Sequence, residues 1–311
     1  MRDPGRRLTV RMDTTNHCNL RCSMCPMRFS DSDPLRKWLH MDRRLFLKVR
    51  EQVFPRAAVV GLSCGAEPFC NPGIGECLKS LLESGVPGRE LVTNGTLLNR
   101  DNAALLVRHP PTTLFVSIDG ARPETHAAIR GGADLKTIEA NLRELSRLRG
   151  RRRFPVVALS TTLQKANLKE IPDLVALAAD IGASAMGLVQ LVPYMGLSTL
   201  GSVVDLDSPE TMDILGMAAD RAKRLGITLT LPDRSERAAG GPCPYLDSTV
   251  YLAPDGAVFP CPYWNTGNPI GNLNDENFDT VWNRRHRYVT PETCVDCPEV
   301  TSRSREVRKD R

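Results

Sequence analysis

The sequence has no apolar run that approaches the roughly 20 residues a membrane-spanning helix needs. The first residues, Met-Arg-Asp-Pro-Gly-Arg-Arg, also lack the apolar segment of a signal peptide. These two absences predict a chain that neither enters a membrane nor is exported. We therefore expect a cytoplasmic protein.

Aromatic residues are few, at 5% of the chain, and no aromatic stacking pattern accompanies the basic runs at 149–153 and 303–311. Such runs are usually solvated faces or chain ends, so we expect no nucleic-acid partner. Cysteine, in contrast, is plentiful, with 10 residues. In a compartment that keeps thiols reduced, this number favours metal or redox chemistry over disulfides.

Strand-like and helix-like segments alternate along the first two thirds of the chain. Leu8, Val10 and Met12 alternate as in a half-buried strand, whereas Leu45, Val49 and Val53 recur at helical spacing. The predicted strands are 8–12, 57–62, 90–93, 114–118, 156–162 and 185–191, and the predicted helices are 41–54, 74–82, 99–107, 135–148, 168–181 and 208–225.

Repeated strand–helix units require a parallel sheet with helices packed outside it. The sequence therefore predicts an α/β protein with a partial (β/α)6 TIM-like barrel, in which reactive groups lie at the C-terminal ends of the strands. The pattern changes near Gly240, where glycine and proline become frequent. A hairpin is predicted at 249–259 around Pro254-Asp255-Gly256. We place the barrel at 1–235 and a small cysteine-rich domain at 236–311.

Three cysteines, Cys18, Cys22 and Cys25, directly follow the first strand. On a loop, three thiolates with this spacing can converge on a four-iron cluster and leave one iron open to a small chelating molecule. The alternative is a zinc site completed by His17. The position after the first strand and the motifs downstream favour the cluster.

These residues resemble the radical S-adenosylmethionine superfamily, and the resemblance covers nearly the whole chain. The family fingerprint is Cys-x3-Cys-x-aromatic-Cys, and Met24 stands here where the aromatic residue is usual. The resemblance implies an S-adenosylmethionine cofactor and an electron donor such as flavodoxin or ferredoxin. Gly65-Ala66-Glu67-Pro68 is similar to the Gly-Gly-Glu-Pro segment that holds the amino group of the cofactor, since carbonyls and a carboxylate suit an ammonium.

Further motifs match the family at the ends of later strands. Thr93-Asn94-Gly95 and Ser117-Ile118-Asp119-Gly120 correspond to the third and fourth strand ends, and Arg130 resembles the arginine that meets the cofactor carboxylate. The end of the sixth strand adds candidate pocket residues. The implied cofactor-binding set is Gly65, Ala66, Glu67, Asn94, Ser117, Asp119, Arg130, Gln190 and Leu191.

A second group of cysteines flanks and follows the predicted hairpin: Cys243, Cys261, Cys294 and Cys297. Four thiolates in this spacing can close a zinc site or ligate a cluster fully, and spacing alone leaves both open. The segment resembles the shortened SPASM, or twitch, domain, which implies one auxiliary 4Fe–4S cluster. The chain is thus expected to hold two 4Fe–4S clusters.

Cys64, Cys70 and Cys77 belong to neither group. Cys77 lies in a helical pattern and is predicted to be a buried apolar residue, and Cys64 is predicted to be part of the barrel wall. Cys70 follows Glu67-Pro68 at the expected barrel mouth. It is our candidate catalytic thiol, as a hydrogen donor.

The resemblance implies that a 5′-deoxyadenosyl radical abstracts a hydrogen from the substrate. Relatives with the short domain act on aminocyclitols and sugars. Because only seven residues precede the first predicted strand, leaving no room for a leader-peptide-binding module, a small-molecule substrate is the leading hypothesis. We expect oxidation of a secondary alcohol. The alternatives are epimerisation of such a metabolite, maturation of a peptide, and a zinc-binding interaction protein.

Overall fold

The computed structural model describes residues 6–25, 37–191, 202–232, 245–261 and 269–285. Its centre is a ten-stranded sheet with the spatial order β12-β11-β10-β1-β3-β4-β5-β7-β8-β9. A separate two-stranded pair joins β2 to β6. The strands are β1 Leu8–Met12, β2 Arg21–Cys22, β3 Ala57–Leu62, β4 Gly88–Thr93, β5 Thr113–Ser117, β6 Arg130–Gly131, β7 Val156–Leu163, β8 Ala185–Gln190, β9 Thr228–Thr230, β10 Thr249–Leu252, β11 Ala257–Phe259 and β12 Gly271–Asn272.

Helices follow the strands and cover the outer face of the sheet. Their starts are set by capping side chains: Asp42 accepts a hydrogen bond from the Arg44 amide at 2.7 Å, and Ser208 caps the last long helix, which Gly226 closes at a φ of 70°. The helices are α1 Arg43–Gln52, α2 Ile74–Glu83, α3 Arg100–Arg108, α4 Pro123–Ile129, α5 Leu135–Arg149, α6 Ile171–Asp180, α7 Pro209–Leu225 and α8 Phe278–Asn283.

The core lies between the helices and the sheet. On α5, Ile138, Leu142 and Leu145 recur at helical spacing and are at most 2% exposed. On β5, Leu114 and Val116 face this layer and are fully buried. The six predicted strand–helix units are therefore confirmed, and every pairing from β1 through β3, β4, β5, β7 and β8 to β9 is parallel.

The predicted hairpin forms between β10 and β11, with Gly256 at a φ of 86°. It is not separate from the barrel, because β10 pairs in parallel with β1 and extends the same sheet. The predicted boundary at 235 lies outside the described residues. Sequence reasoning missed β9, α4 and the β2–β6 pair, which are all short. None of the described helices is long and apolar enough to cross a membrane.

Candidate active site

The face of the sheet away from the helices, termed the lumen, carries residues that solvent reaches in part. Along β5, Leu114 and Val116 are buried against the helices, whereas the alternate residues Thr113 and Phe115 face the lumen and remain partly accessible. Val189, near the end of β8, is 49% exposed. Because all the parallel strands end on one side, their C-terminal ends surround one opening to this lumen.

The three-cysteine loop begins just after β1 at that opening. Cys22 belongs to β2, which pairs antiparallel with Arg130 and Gly131 in β6. A Cβ on Gly131 would lie 2.8 Å from the Arg21 carbonyl oxygen, so the close approach of the two strands requires glycine there. The amide of Cys25 donates to the Cys22 carbonyl at 3.2 Å and turns the chain back. The pairing therefore holds the cysteine loop against Arg130.

The thiols of this loop lie close enough to influence one another. Burial raises the pKa of the Cys18 thiol, and the nearby Cys22 raises it further. Burial also raises the pKa of the Cys22 thiol, and the nearby Cys25 adds to that shift. The positive charge of Arg130 opposes both shifts. Within the described segments, no three His, Cys, Asp or Glu side chains converge on a single metal ion. Neutral thiols that release protons on metal binding, next to a fixed cation, are chemically suited to an anionic iron–sulfur cluster.

Glu67 joins the ends of β3 and β4. Its side chain is 1% exposed and accepts hydrogen bonds from the Thr93 hydroxyl and the Asn94 amide, both at 2.8 Å, and from the Phe69 amide at 3.2 Å. Burial raises the pKa of Glu67 to about 7, and these hydrogen bonds limit the shift. The sequence indicated an acceptor for the cofactor amine, and the structure adds that the carboxylate braces the loop that carries Gly65 and Ala66.

Asn94 connects this brace to the cysteine loop. Its side-chain Nδ2 donates to the Asn19 Oδ1 at 2.9 Å, and its side-chain oxygen accepts from the backbone amide and the hydroxyl of Thr96. Asn19 in turn donates to the Thr96 hydroxyl at 2.9 Å. Asn19 lies between the cluster cysteines, and sequence reasoning missed it because its partners lie 75 and 77 residues away.

Asp119, just after β5, forms an ion pair with Arg130 of β6, the strand that pairs with Cys22. The Arg130 Nε donates to Asp119 Oδ2 at 2.6 Å, and the other carboxylate oxygen accepts from the Thr162 amide at 2.7 Å. Asp119 is fully buried, and the Arg130 side chain is 13% exposed. Asp119 thus orients Arg130 and fixes it to β7.

His126 is a buried neighbour of this ion pair that the sequence did not reveal. Its Nδ1 accepts a hydrogen bond from the Asp119 amide at 3.2 Å, and its Nε2 is buried without a hydrogen-bond partner among the described residues. Burial and the charge of Arg130 lower the pKa of His126 to about 4. The imidazole is therefore neutral at physiological pH.

Asp13, immediately after β1, is a further residue that sequence reasoning missed. Its carboxylate accepts hydrogen bonds from the amides of Cys64 at 2.7 Å and Gly65 at 3.0 Å, and from the Tyr251 hydroxyl at 2.7 Å. Asp13 therefore connects three parts of the site: the strand that leads to the cluster cysteines, the predicted cofactor loop and the C-terminal hairpin. Its position at the C-terminal end of a barrel strand was the available signal.

The three remaining cysteines differ in their surroundings. Cys77 is buried in α2, as predicted. Burial raises the pKa of Cys70 to about 11, with further contributions from Glu67 and Cys18, so this candidate thiol lies beside the cluster loop. Cys64 follows β3 and is exposed, so the prediction that it is part of the barrel wall is wrong. Desolvation raises the pKa of its thiol to about 12, and Asp13 contributes to the shift.

The other predicted positions are spread more widely. Ser117 ends β5 and is 7% exposed. Gln190 is exposed at the end of β8, and Leu191 after it is 4% exposed. Cys261 follows β11 and interacts electrostatically with Cys64. Cys243, Cys294 and Cys297 lie outside the described residues.

The fold and this site define a class of protein. An open parallel barrel carries a cysteine loop, a carboxylate-braced loop and an arginine at one opening, and these groups suit an iron–sulfur cluster and an amino acid-like cofactor. The family model of the radical SAM superfamily matches residues 12–178, which is more than half of the chain. The chain belongs to this superfamily. A second model, the SPASM iron–sulfur cluster-binding domain, matches residues 243–298.

Individual proteins of several activities are similar to this chain. The AdoMet-dependent heme synthase of Methanosarcina barkeri is 26% identical over 297 residues, which cover 88% of this chain and 81% of that protein. The PqqA peptide cyclase of Xanthomonas campestris pv. campestris is 25% identical over 317 residues, with coverages of 94% and 79%.

Solved structures show the same fold at low identity. Streptococcus suis SuiB bound to S-adenosylmethionine has a TM-score of 0.70 and 12% identity, and covers 95% of this chain and 72% of its own. The same protein bound to precursor peptide SuiA has a TM-score of 0.68 and 13% identity, with coverages of 95% and 70%.

Proposed function

We propose that this chain is a radical S-adenosylmethionine enzyme that modifies a peptide by removing a hydrogen atom from one of its residues. The main support for this proposal is a hydrogen-bond network at the opening of the lumen. It joins the cysteine loop to the Glu67 loop through Asn19 and Asn94. Peptide as the substrate class is supported by the similarity to PqqA peptide cyclase along most of both chains. This alternative is better supported than the small secondary alcohol favoured by the sequence.

In this proposal each group of residues has a separate task. Cys18, Cys22 and Cys25 hold the cluster, and the carbonyls of the braced loop at Gly65 and Ala66 receive the cofactor amine. The further contacts come from the predicted set of Asn94, Ser117, Asp119, Arg130, Gln190 and Leu191, with Arg130 directed at the carboxylate. Cluster and cofactor together supply a 5′-deoxyadenosyl radical when bound.

The residues of the chain prepare the site for this chemistry. The buried Asp119 keeps the Arg130 guanidinium oriented, and the brace at Glu67 keeps the loop carbonyls from moving. Rigid donors and acceptors of this kind lower the cost of ordering a bound cofactor. Val189, near the end of β8, is 49% exposed and offers apolar surface to a substrate at this opening.

We further propose an auxiliary 4Fe–4S cluster at Cys243, Cys261, Cys294 and Cys297, giving two clusters in total. Full ligation by four thiolates suits an electron acceptor. A cluster bound there would supply an electron acceptor for an oxidation in which the substrate gives up one proton and one electron in addition to the abstracted hydrogen atom. The product contains two hydrogens fewer than the substrate.

The test is a reaction with candidate peptides in deuterium oxide. The reconstituted enzyme is incubated anaerobically with each short peptide encoded beside its gene, and the products are analysed by mass spectrometry. The proposal expects one peptide to become two mass units lighter. The matched control is the variant with Cys18, Cys22 and Cys25 all replaced by Ala, which is expected to leave the peptide unchanged.

Two outcomes would overturn parts of the proposal. If every peptide stays unchanged while a secondary-alcohol metabolite loses two hydrogens, the substrate is a small molecule. If the product is an isomer that carries one solvent deuterium, the enzyme is an epimerase. In that case Cys70→Ala is expected to stop turnover, with Cys77→Ala as its control.

A further inference from the structure

An ion pair crosses three neighbouring strands on the lumen face of the sheet. Arg11 of β1 is in register with Gly61 of β3, which is in register with Glu90 of β4. Glu90 in turn lies opposite Thr113, which faces the lumen. Residues directly opposite one another on paired strands point to the same face, so Arg11 and Glu90 face the lumen as well. The Arg11 Nη1 donates a hydrogen bond to the Glu90 Oε2 across the intervening glycine.

Gly61 provides the space for this contact. A Cβ at Gly61 would lie 2.7 Å from the Arg11 Nη1, which is too close for atoms that are not bonded. The φ of Gly61 is not in the left-handed region, so the backbone conformation itself does not require glycine there. Any larger residue would therefore displace the guanidinium from its position over β3. The glycine keeps Arg11 within reach of Glu90.

The two charged groups have hydrogen-bonding capacity that the pair itself does not use. A guanidinium carries five N–H donors. Within the part of the chain that the structure describes, Arg11 donates to Glu90 alone, and the Glu90 carboxylate accepts from Arg11 alone. Asp13, two residues further along the chain, already accepts hydrogen bonds from three other groups. The side chains of Arg11 and Glu90 are only 30% and 19% exposed, so the pair is costly unless a further group meets its remaining donors and acceptors.

We infer that Arg11 and Glu90, termed the lumen pair, bind the side-chain carboxamide of an Asn or Gln residue in the substrate. The inference rests on the proposed function, in which the substrate is a peptide. The carboxamide oxygen accepts from the remaining N–H groups of Arg11, and its NH2 group donates to the remaining carboxylate oxygen of Glu90. The lumen pair thereby positions one residue of the peptide and selects for it.

Charge and depth favour a carboxamide over other parts of a peptide. The lumen pair has no net charge, so an acidic side chain would be repelled by Glu90 and a basic one by Arg11. A carboxamide is neutral and presents an acceptor and donors side by side. Glu90 lies three residues before the end of β4, which places it about 10 Å below the opening. A side chain can reach that depth while the peptide backbone stays at the opening.

The test is a reversal of specificity with the peptide that the enzyme modifies. Each Asn and Gln of that peptide is replaced singly by the matching acid, and the KM and kcat for every peptide are measured by mass spectrometry. With the wild type, one acidic replacement is expected to raise the KM about tenfold. Glu90→Gln leaves Arg11 as an unopposed cation, which pairs well with a carboxylate. This variant is expected to prefer the same acidic peptide about tenfold over the original.

A second variant keeps the test decisive if Glu90→Gln does not fold. Arg11→Gln leaves Glu90 as an unopposed anion, so it is expected to discriminate against the acidic peptide about tenfold more strongly than the wild type does. The matched control is Glu76→Gln, which alters an Arg–Glu pair on the outer helices, where Arg43 lies 3.4 Å from Glu76 and both side chains are at least 75% exposed. This control is expected to keep the preference of the wild type.

The outcomes separate this inference from the proposed function. If no peptide is modified, the proposed function is wrong, and the inference falls with it. If a peptide is modified but has no Asn or Gln, or no acidic replacement changes its KM, the proposed function stands and the inference is wrong. If an acidic replacement raises the KM but neither lumen-pair variant changes the preference, the carboxamide binds elsewhere. If the variants only lower kcat for both peptides alike, the pair is structural, and the assignment is also overturned.

Discussion

The Tyr251 hydroxyl donates a hydrogen bond to Asp13 Oδ2 at 2.7 Å, across 238 residues of sequence. Burial raises the pKa of Tyr251, and the nearby Asp13 carboxylate raises it further, so the phenol keeps its proton and acts as the donor. The bond links β10 of the C-terminal segment to the residue that holds the Cys64 and Gly65 amides. Through Asp13, this hydrogen bond couples the position of the C-terminal hairpin to that of the predicted cofactor loop.

Breaking this link is expected to destabilise the protein in a graded way. Tyr251→Phe removes one hydrogen bond and should lower the free energy of unfolding by about 1 kcal/mol. Asp13→Asn replaces one of the two acceptor oxygens with an NH2 donor, so the bonds from the Cys64 and Gly65 amides and the Tyr251 hydroxyl cannot all be kept, and it should cost about 3 kcal/mol. Urea unfolding of both variants and the double variant measures the coupling. Because the two residues share one bond, the double variant should lose less than the sum of the single losses, and additive losses would contradict the link.

Replacing Glu67 is expected to weaken binding of S-adenosylmethionine. Glu67→Gln keeps the side-chain volume but replaces one acceptor oxygen with an NH2 donor. The hydrogen bonds from the Thr93 hydroxyl and the Asn94 and Phe69 backbone amides therefore cannot all be kept, and the loop that carries Gly65 and Ala66 loses support. We expect about a tenfold loss of affinity by isothermal titration calorimetry. Glu76→Gln, on the exposed face of α2, is the control. Equal affinity in Glu67→Gln and the wild type would remove Glu67 from the site.

The buried His126 is expected to make stability depend on pH. Its pKa is about 4 in the folded protein against 6.5 as the ordinary value, so the unfolded chain binds more protons between these values. The contribution of neutral His126 to the free energy of unfolding is therefore complete above pH 6.5, and it is lost as the pH falls toward 4. Between pH 7 and pH 5 the loss should be about 2 kcal/mol.

The experiment compares wild type with His126→Asn by urea unfolding at both pH values. Asn can still accept from the Asp119 amide but does not titrate. Glu67 acts in the opposite sense, since its raised pKa gives stability at low pH that is lost as the pH rises toward 7. Glu67 is present in both proteins, so its effect cancels in the comparison. Identical pH slopes for the two proteins would show that His126 is not the titrating group.

The local parts of the site could be predicted from sequence, and the non-local parts could not. Cys18, Cys22 and Cys25 are close in the chain, and the strand before them is a simple alternating pattern. By contrast, Asn19 reaches Asn94 only because β1 and β4 end at the same opening. The sequence shows each residue's type, but its partner is fixed by strand order and by β-sheet register.

The fold showed the same division between local and distant features. The hairpin at β10–β11 was predicted from Pro254-Asp255-Gly256, a local turn signal. Its parallel pairing with β1 was not predicted, because no local pattern specifies which strand will occupy a sheet edge. Arg130 was identified by resemblance, but its orientation by Asp119 depends on how α4 returns the chain to the opening.

Iron content is expected to distinguish one cluster from two. By ligand count, the reconstituted wild type should hold about eight irons, four for each cluster. The variant with Cys18, Cys22 and Cys25 replaced by Ala should retain about half of them, held by Cys243, Cys261, Cys294 and Cys297. Zinc in the C-terminal site after strictly anaerobic purification would contradict the auxiliary cluster.

The most direct test of the central claim is cleavage of S-adenosylmethionine by the reduced, reconstituted enzyme, with 5′-deoxyadenosine measured by chromatography. We predict that the wild type forms 5′-deoxyadenosine and methionine in equal amounts. The variant with Cys18, Cys22 and Cys25 replaced by Ala should form neither, because the cluster that delivers the electron is missing. Cleavage by this variant at the rate of the wild type would contradict the assignment.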